Sequence, residues 1–241
     1  HGCRGASQHE VCVPGQRAGS LRMSSDVPFA WNPNAALGVM GGTFDPPHLG
    51  HLELARAARR ELGLDGVLYI PAGCPSFKRD REVTSAHHRL AMLSRMLEGE
   101  PACALSAMEV ERPGITYTVD TLEELRRSWP LPARLVFILG ADSLHTLPHW
   151  HCARRVLGLA EIAVAGRAGE ELDRDVAALR AFEPAAQVHV LDAHVPPLSS
   201  TGLRGLLARG ADVSGTLDPR VLDYIRSHGL YRFPLNSEGH D

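Results

Sequence analysis

From Ala35 onward, short apolar runs alternate with amphipathic stretches, and several of the runs close on glycine. "ALGVMGG", "GVLYIPAG", "ACALSAMEV", "ARLVFILGAD", "EIAVAGR" and "AQVHVLDA" read as strands buried on both faces. Between and after them lie helical patterns. "LGHLELARAARRELGL" spaces Leu52, Ala55, Ala58 and Leu62 on one stripe, and "AHHRLAMLSRMLEGE" does the same with Leu90, Leu93 and Leu97. "YTVDTLEELRRSW", "HWHCARRVLGLA", "STGLRGLLARG" and "DPRVLDYIRSHGL" complete the set. Strand-helix alternation predicts an α/β protein with a doubly wound parallel sheet. In such sheets ligands bind beyond the carboxyl ends of the strands, near the point where strand order reverses. The strand-to-helix turns are therefore where function should be sought.

The chain has 241 residues, enough for one such domain with a real core. Residues 1–34 lack periodicity, are biased to Gly, Ser and Pro, and hold no apolar signal segment; they read as a disordered extension or upstream read-through. The domain is expected over 35–232, with 233–241 as a tail. Formal net charge is −3, which argues against a general nucleic-acid-binding surface. No apolar run approaches the roughly 20 residues of a membrane span. The five cysteines form no CxxC pair, so they read as free thiols of a reducing compartment, and the cytoplasm is expected.

The first turn, "GVMGGTFDPPHLGH", is the densest in chemistry. Gly41 and Gly42 follow a strand and let backbone amides approach a ligand. Pro46 and Pro47 suit a helix entry. His48 and His51 then lie about one turn apart on a shared face beside the positive helix end, where an anion is favoured. The turn is neither a Walker A loop nor a GxGxxG fingerprint. By spacing alone, two incidental surface histidines fit as well as two phosphate donors. A zinc pair is a further option, but no neighbouring Cys or carboxylate completes a ligand set, and no metal site is expected. His145, His149 and His151 read as solvated loop residues on the same ground.

"GGTFDPPHLGH" resembles the HxGH signature of the nucleotidyltransferase superfamily. "PAGCPSFK", "PGITYTVDTL", "ILGADSLHTLPHW", "PPLSSTGLR" and the ending "VLDYIRSHGLY" follow in the order of the bacterial nicotinate mononucleotide adenylyltransferases. The resemblance spans about Leu37 to Arg232. It implies a Rossmann-like fold and transfer of an adenylyl group from ATP to nicotinate mononucleotide, giving the dinucleotide precursor of NAD and pyrophosphate. Mg²⁺ would arrive on the ATP phosphates.

The resemblance also implies roles. His48, His51 and Arg204 would act on the phosphates. Gly41, Gly42, Thr43, Phe44, Gly140, Asp142, Arg167, Ser199 and Ser200 would join them in binding ATP. Lys78, Thr118, Trp150 and His151 would bind the mononucleotide, with Trp150 flat on the pyridine ring and Thr118 at its carboxylate. Several have plainer readings: Ser199 or Ser200 as a helix cap, Asp142 as a turn cap, Trp150 as core, Thr118 as a helix-start hydroxyl. Phe77 stands where other members carry a histidine before the lysine, which leaves that slot without an assigned role. A tRNA synthetase is excluded by length and by the lack of a KMSKS-like loop. Among other HxGH transferases, a phosphopantetheine enzyme is opposed by "PGITYTVDTL" and "LPHW", whereas a nicotinamide mononucleotide enzyme stays open as the alternative. A non-catalytic nucleotide sensor would be expected to have lost a histidine, Arg204 or Lys78.

Overall fold

In a computed structural model, residues 35–75, 83–128, 134–165, 170–192 and 199–231 are described. The readings for 1–34 and 233–241 lie outside them, as do Lys78, Phe77 and Arg167.

Six strands form the main sheet: β1 (Ala36–Gly42), β2 (Gly66–Pro71), β4 (Cys103–Leu105), β6 (Arg134–Gly140), β7 (Glu161–Ala165) and β8 (Val188–Leu191). Their spatial order is β4-β2-β1-β6-β7-β8, and every pairing is parallel. The chain thus winds outward from β1 through β2 to β4, returns to the other side of β1, and winds outward again. The reversal lies between β1 and β6, so a crevice opens beyond Gly42 and Gly140.

Helices cover both faces because successive strand residues point to opposite sides. Met40, Val67 and Ile138 pack on one side with Ala55 of α1 (Leu49–Leu62), Leu93 of α2 (Ala86–Leu97), Leu203 of α8 (Ser200–Ala208) and Val221 of α9 (Pro219–Ser227). Val39, Leu135 and Phe137 pack on the other with Leu122 of α4 (Thr118–Ser128), Val156 of α6 (Ala153–Leu159) and Leu179 of α7 (Glu170–Phe182). Among the described residues no helix is long and apolar enough to cross a membrane.

Four details differ from the sequence expectation. The run "ACALSAMEV" is strand only through Leu105. Ser106 ends it by accepting the Met108 amide on its hydroxyl at 3.3 Å, and Met108–Glu111 form a helical turn, α3. Two-residue strands β3 (Cys74–Pro75) and β5 (Ile115–Thr116) pair in a small second sheet, too short to show alternation in sequence. Helix α7 is masked in the sequence by its charged surface, although its buried stripe Leu172, Val176, Leu179 has helical spacing. The helix expected over "HWHCARRVLGLA" also starts late, at Ala153. A 3-10 turn (Leu147–His149) precedes it, and α5 (Ala141–Leu144) occupies the turn after β6.

Candidate active site

The β1–α1 turn is bent by a cis Asp45–Pro46 bond and by Phe44 in the left-handed region, φ 52°. The Phe44 ring is 2% exposed and meets Tyr69 at 5.9 Å and His51, in an edge arrangement, at 4.9 Å. What Phe44 offers a ligand is therefore backbone, while its side chain supports His51. His48 is the N-cap of α1 and His51 its third residue. The His48 amide donates to His51 Nδ1 at 3.2 Å, which satisfies one of the free amides at the helix start. Since Nδ1 accepts, the neutral His51 ring carries its proton on Nε2. The two rings lie 3.7 Å apart between centroids. Burial holds His48 down to about 4 and pushes His51 well below the usual histidine value; the neighbouring His48 adds to the effect on His51. Both rings are thus neutral at pH 7. His48 Nδ1 is buried with no hydrogen-bond partner among the described residues.

Helix α8 brings the next group of residues from more than 150 positions away. Ser199 caps it, accepting the Gly202 amide at 3.0 Å. Ser200 donates its hydroxyl to the Pro46 carbonyl at 2.9 Å, and Arg204 donates to the Asp45 carbonyl and, at 3.0 Å, to Thr201 Oγ1. So Ser200 and Arg204 seat the N-terminus of α8 against the histidine turn, where two positive helix ends share one crevice.

The carboxyl end of β6 borders the same crevice. Gly140 is the N-cap of α5, and Asp142 stands exposed on its first turn. Beyond it, half-buried Trp150 gives its indole N–H to Thr146 Oγ1 at 3.1 Å and meets Phe137 edge-on at 6.1 Å. His151 lies over Tyr117 at 4.4 Å. That contact joins the Trp150 segment to the start of α4, whose first residue is half-buried Thr118. Thr118, Trp150 and His151 are thereby gathered by contacts between their two segments. His145 and His149 are exposed, and the described residues hold no group of three metal-ligating side chains.

Sequence reasoning missed three residues. Asp45 is 3% exposed and accepts the Tyr231 hydroxyl at 2.7 Å and the Thr84 amide at 3.4 Å. Tyr231 thus ties the C-terminal end of the described chain to the first turn. Arg89 is 2% exposed, inside α2. A signal for it was present: Arg89, Met92, Leu93 and Met96 share one face, and a cation on an apolar stripe needs partners.

The cytidylyltransferase-like family model matches residues 39–206. A protein of Thermomicrobium roseum is 44% identical over 198 residues, covering 81% of this chain and 91% of the relative. One of Bordetella petrii is 41% identical over 198 residues, covering 81% and 98%. Both carry the name "Probable nicotinate-nucleotide adenylyltransferase". The chain belongs to the cytidylyltransferase-like family of nucleotidyltransferases and, within it, to the nicotinate-nucleotide adenylyltransferases. Among solved structures, the Plasmodium falciparum nicotinic acid mononucleotide adenylyltransferase complexed with NaAD superposes with a TM-score of 0.67 at 19% identity, covering 83% of this chain and 99% of that one. At that identity the likeness speaks to the fold.

Proposed function

We propose that this protein joins ATP to nicotinate mononucleotide, forming nicotinate adenine dinucleotide and pyrophosphate, in the cytoplasm. A phosphate oxygen of the mononucleotide attacks the α-phosphorus of ATP, and the bond to the β-phosphate oxygen breaks. The observation that carries this reading is the convergence of the histidine turn and the α8 N-terminus on one crevice, through the Ser200–Pro46 and Arg204–Asp45 bonds. Two helix ends, two neutral imidazoles and a guanidinium suit a reactant whose charge shifts toward the departing pyrophosphate.

His51 donates through Nε2 and His48 through its own ring N–H; because both start neutral, they polarise phosphate oxygens without a charge to desolvate. Arg204 exchanges the Asp45 carbonyl for phosphate oxygens. Gly41, Gly42, Thr43 and Phe44 present backbone amides, Ser199 and Ser200 the α8 terminus, and Gly140 and Asp142 the adenosine side; the sequence resemblance adds Arg167 to the residues that bind ATP. Thr118, Trp150, His151 and Lys78 bind the acceptor. Catalysis is then positioning and electrostatics, with no covalent intermediate. Mg²⁺ enters as part of the ATP substrate, held by phosphate oxygens and water; Asp45 is already engaged by Tyr231 and the Thr84 amide.

Pyrophosphate release with ATP against nicotinate mononucleotide, nicotinamide mononucleotide and 4′-phosphopantetheine tests the reading. The nicotinate compound should give the highest kcat/KM. No release with it, or faster release with 4′-phosphopantetheine, overturns the assignment.

A further inference from the structure

We propose that Arg89 is a positioning residue that holds the ATP-side turn and the acceptor-side loop at a fixed separation. This rests on the reaction proposed above. Its guanidinium donates to three carbonyls on three segments: Nε to Thr84 at 2.9 Å, Nη1 to Thr43 at 2.9 Å and Nη2 to Gly73 at 3.3 Å. Thr43 belongs to the histidine turn. Gly73 opens the small sheet in which Cys74 and Pro75 pair with Ile115 and Thr116, two residues before Thr118. Thr84 gives its amide to Asp45, closing a loop back to the turn that carries His48. One buried cation thus ties both halves of the crevice together.

Burial pulls the Arg89 guanidinium below the usual arginine value, and three neighbours, Asp45, Tyr231 and Glu109, oppose that pull. Asp45 and Glu109 are themselves buried, one on each side of the brace. Gly73 is pressed so close to Glu109 that a Cβ on it would lie 2.0 Å from the Glu109 carbonyl oxygen. Glu109 in turn accepts the Thr121 hydroxyl at 2.6 Å, one turn into α4 from Thr118. The path from Arg89 to the acceptor pocket is therefore a chain of direct contacts. A planar fork with five N–H groups reaches three carbonyls at once; a lysine ammonium replaces them with one point of charge. In-line transfer needs the two reactants held within about 3–3.5 Å, and looseness between the half-sites falls on the chemical step.

The test compares the parent with Arg89→Lys and Arg89→Met. The melting temperature, the Kd of α,β-methylene-ATP, the Kd of nicotinate mononucleotide, and kcat are measured for each. For Arg89→Lys the expectation is a folded protein, each Kd within about threefold of the parent, and kcat at least tenfold lower. Arg89→Met should lower kcat further and also lower the melting temperature; Arg89→Lys keeps the question answerable if it does not fold. A folded Arg89→Lys with parental kcat overturns the proposal. So does a kcat that falls only as both Kd values rise, since that pattern marks a merely structural residue. A parent that releases no pyrophosphate from ATP and nicotinate mononucleotide overturns the functional reading, and this proposal with it.

Discussion

His51 has two separable jobs, one on each ring nitrogen. Nδ1 accepts the His48 amide at 3.2 Å and so helps start α1. Nε2 is left to donate to phosphate. His51→Asn places an amide oxygen where Nδ1 stood and nothing where Nε2 stood; His51→Ala removes both. Losing a cap-type bond costs about 0.5–2 kcal/mol. For a domain of this size that lowers the melting temperature by roughly 1–8 °C, and the lost Phe44 edge contact adds to it. His51→Ala should show this drop, and His51→Asn only a fraction of it. Losing a preorganised donor to developing oxyanion charge costs about 2.7–4 kcal/mol, or roughly 10²–10³ in kcat. Both variants should show that loss in full. Calorimetry and steady-state pyrophosphate release, run on the same preparations, give the two numbers. If His51→Asn turns over within a few-fold of the parent, Nε2 is not a phosphate donor. If it loses as much stability as His51→Ala, Nδ1 is not a cap.

The neutral histidines, buried His48 and half-buried His51, make stability depend on acid. His48 titrates near 6.5 unfolded and at about 4 folded, so between those values the unfolded chain binds more protons and stability falls as pH falls. The loss reaches roughly 3 kcal/mol by pH 4 at about 1.4 kcal/mol per unit, with His51 acting in the same direction. Denaturant melts from pH 4 to 7 should show a shallower slope for His48→Asn; an unchanged slope would refute the link. Gly73→Ala forces a Cβ to 2.0 Å from the Glu109 carbonyl oxygen and should destabilise by about 1–3 kcal/mol, visible as a lower melting temperature. A parental melting temperature would mean the loop moves freely. For the acceptor, nicotinate should be preferred over nicotinamide mononucleotide in kcat/KM, because an amide turns one acceptor into a donor and leaves a group unpaired, at roughly 1–3 kcal/mol. Thr118→Val should narrow that preference, whereas Trp150→Ala, which removes stacking, should weaken both alike. Equal narrowing by both variants would refute this division of labour.

The alternation of apolar runs and amphipathic stretches was sufficient to indicate a parallel α/β sheet, because period and length are local properties that survive without neighbours. Gly-Gly after a strand and histidines at i and i+3 likewise marked the first turn, and "SSTGLR" marked a capped helix. Local pattern says nothing of which strand lies beside which. The reversal between β1 and β6, and hence the crevice, exists only in the assembled sheet. Nor could spacing bring Arg204 to the Asp45 carbonyl, 159 residues away. The neutral state of His48 and His51 is also a tertiary product, since it comes from burial. Arg89 shows the boundary best. Its place on an apolar helical stripe was written in the sequence, but its three acceptors, Thr43, Gly73 and Thr84, are carbonyls, which every residue carries. Side-chain identity cannot encode which carbonyls meet a guanidinium; only the packing of α2 beneath both loops decides it.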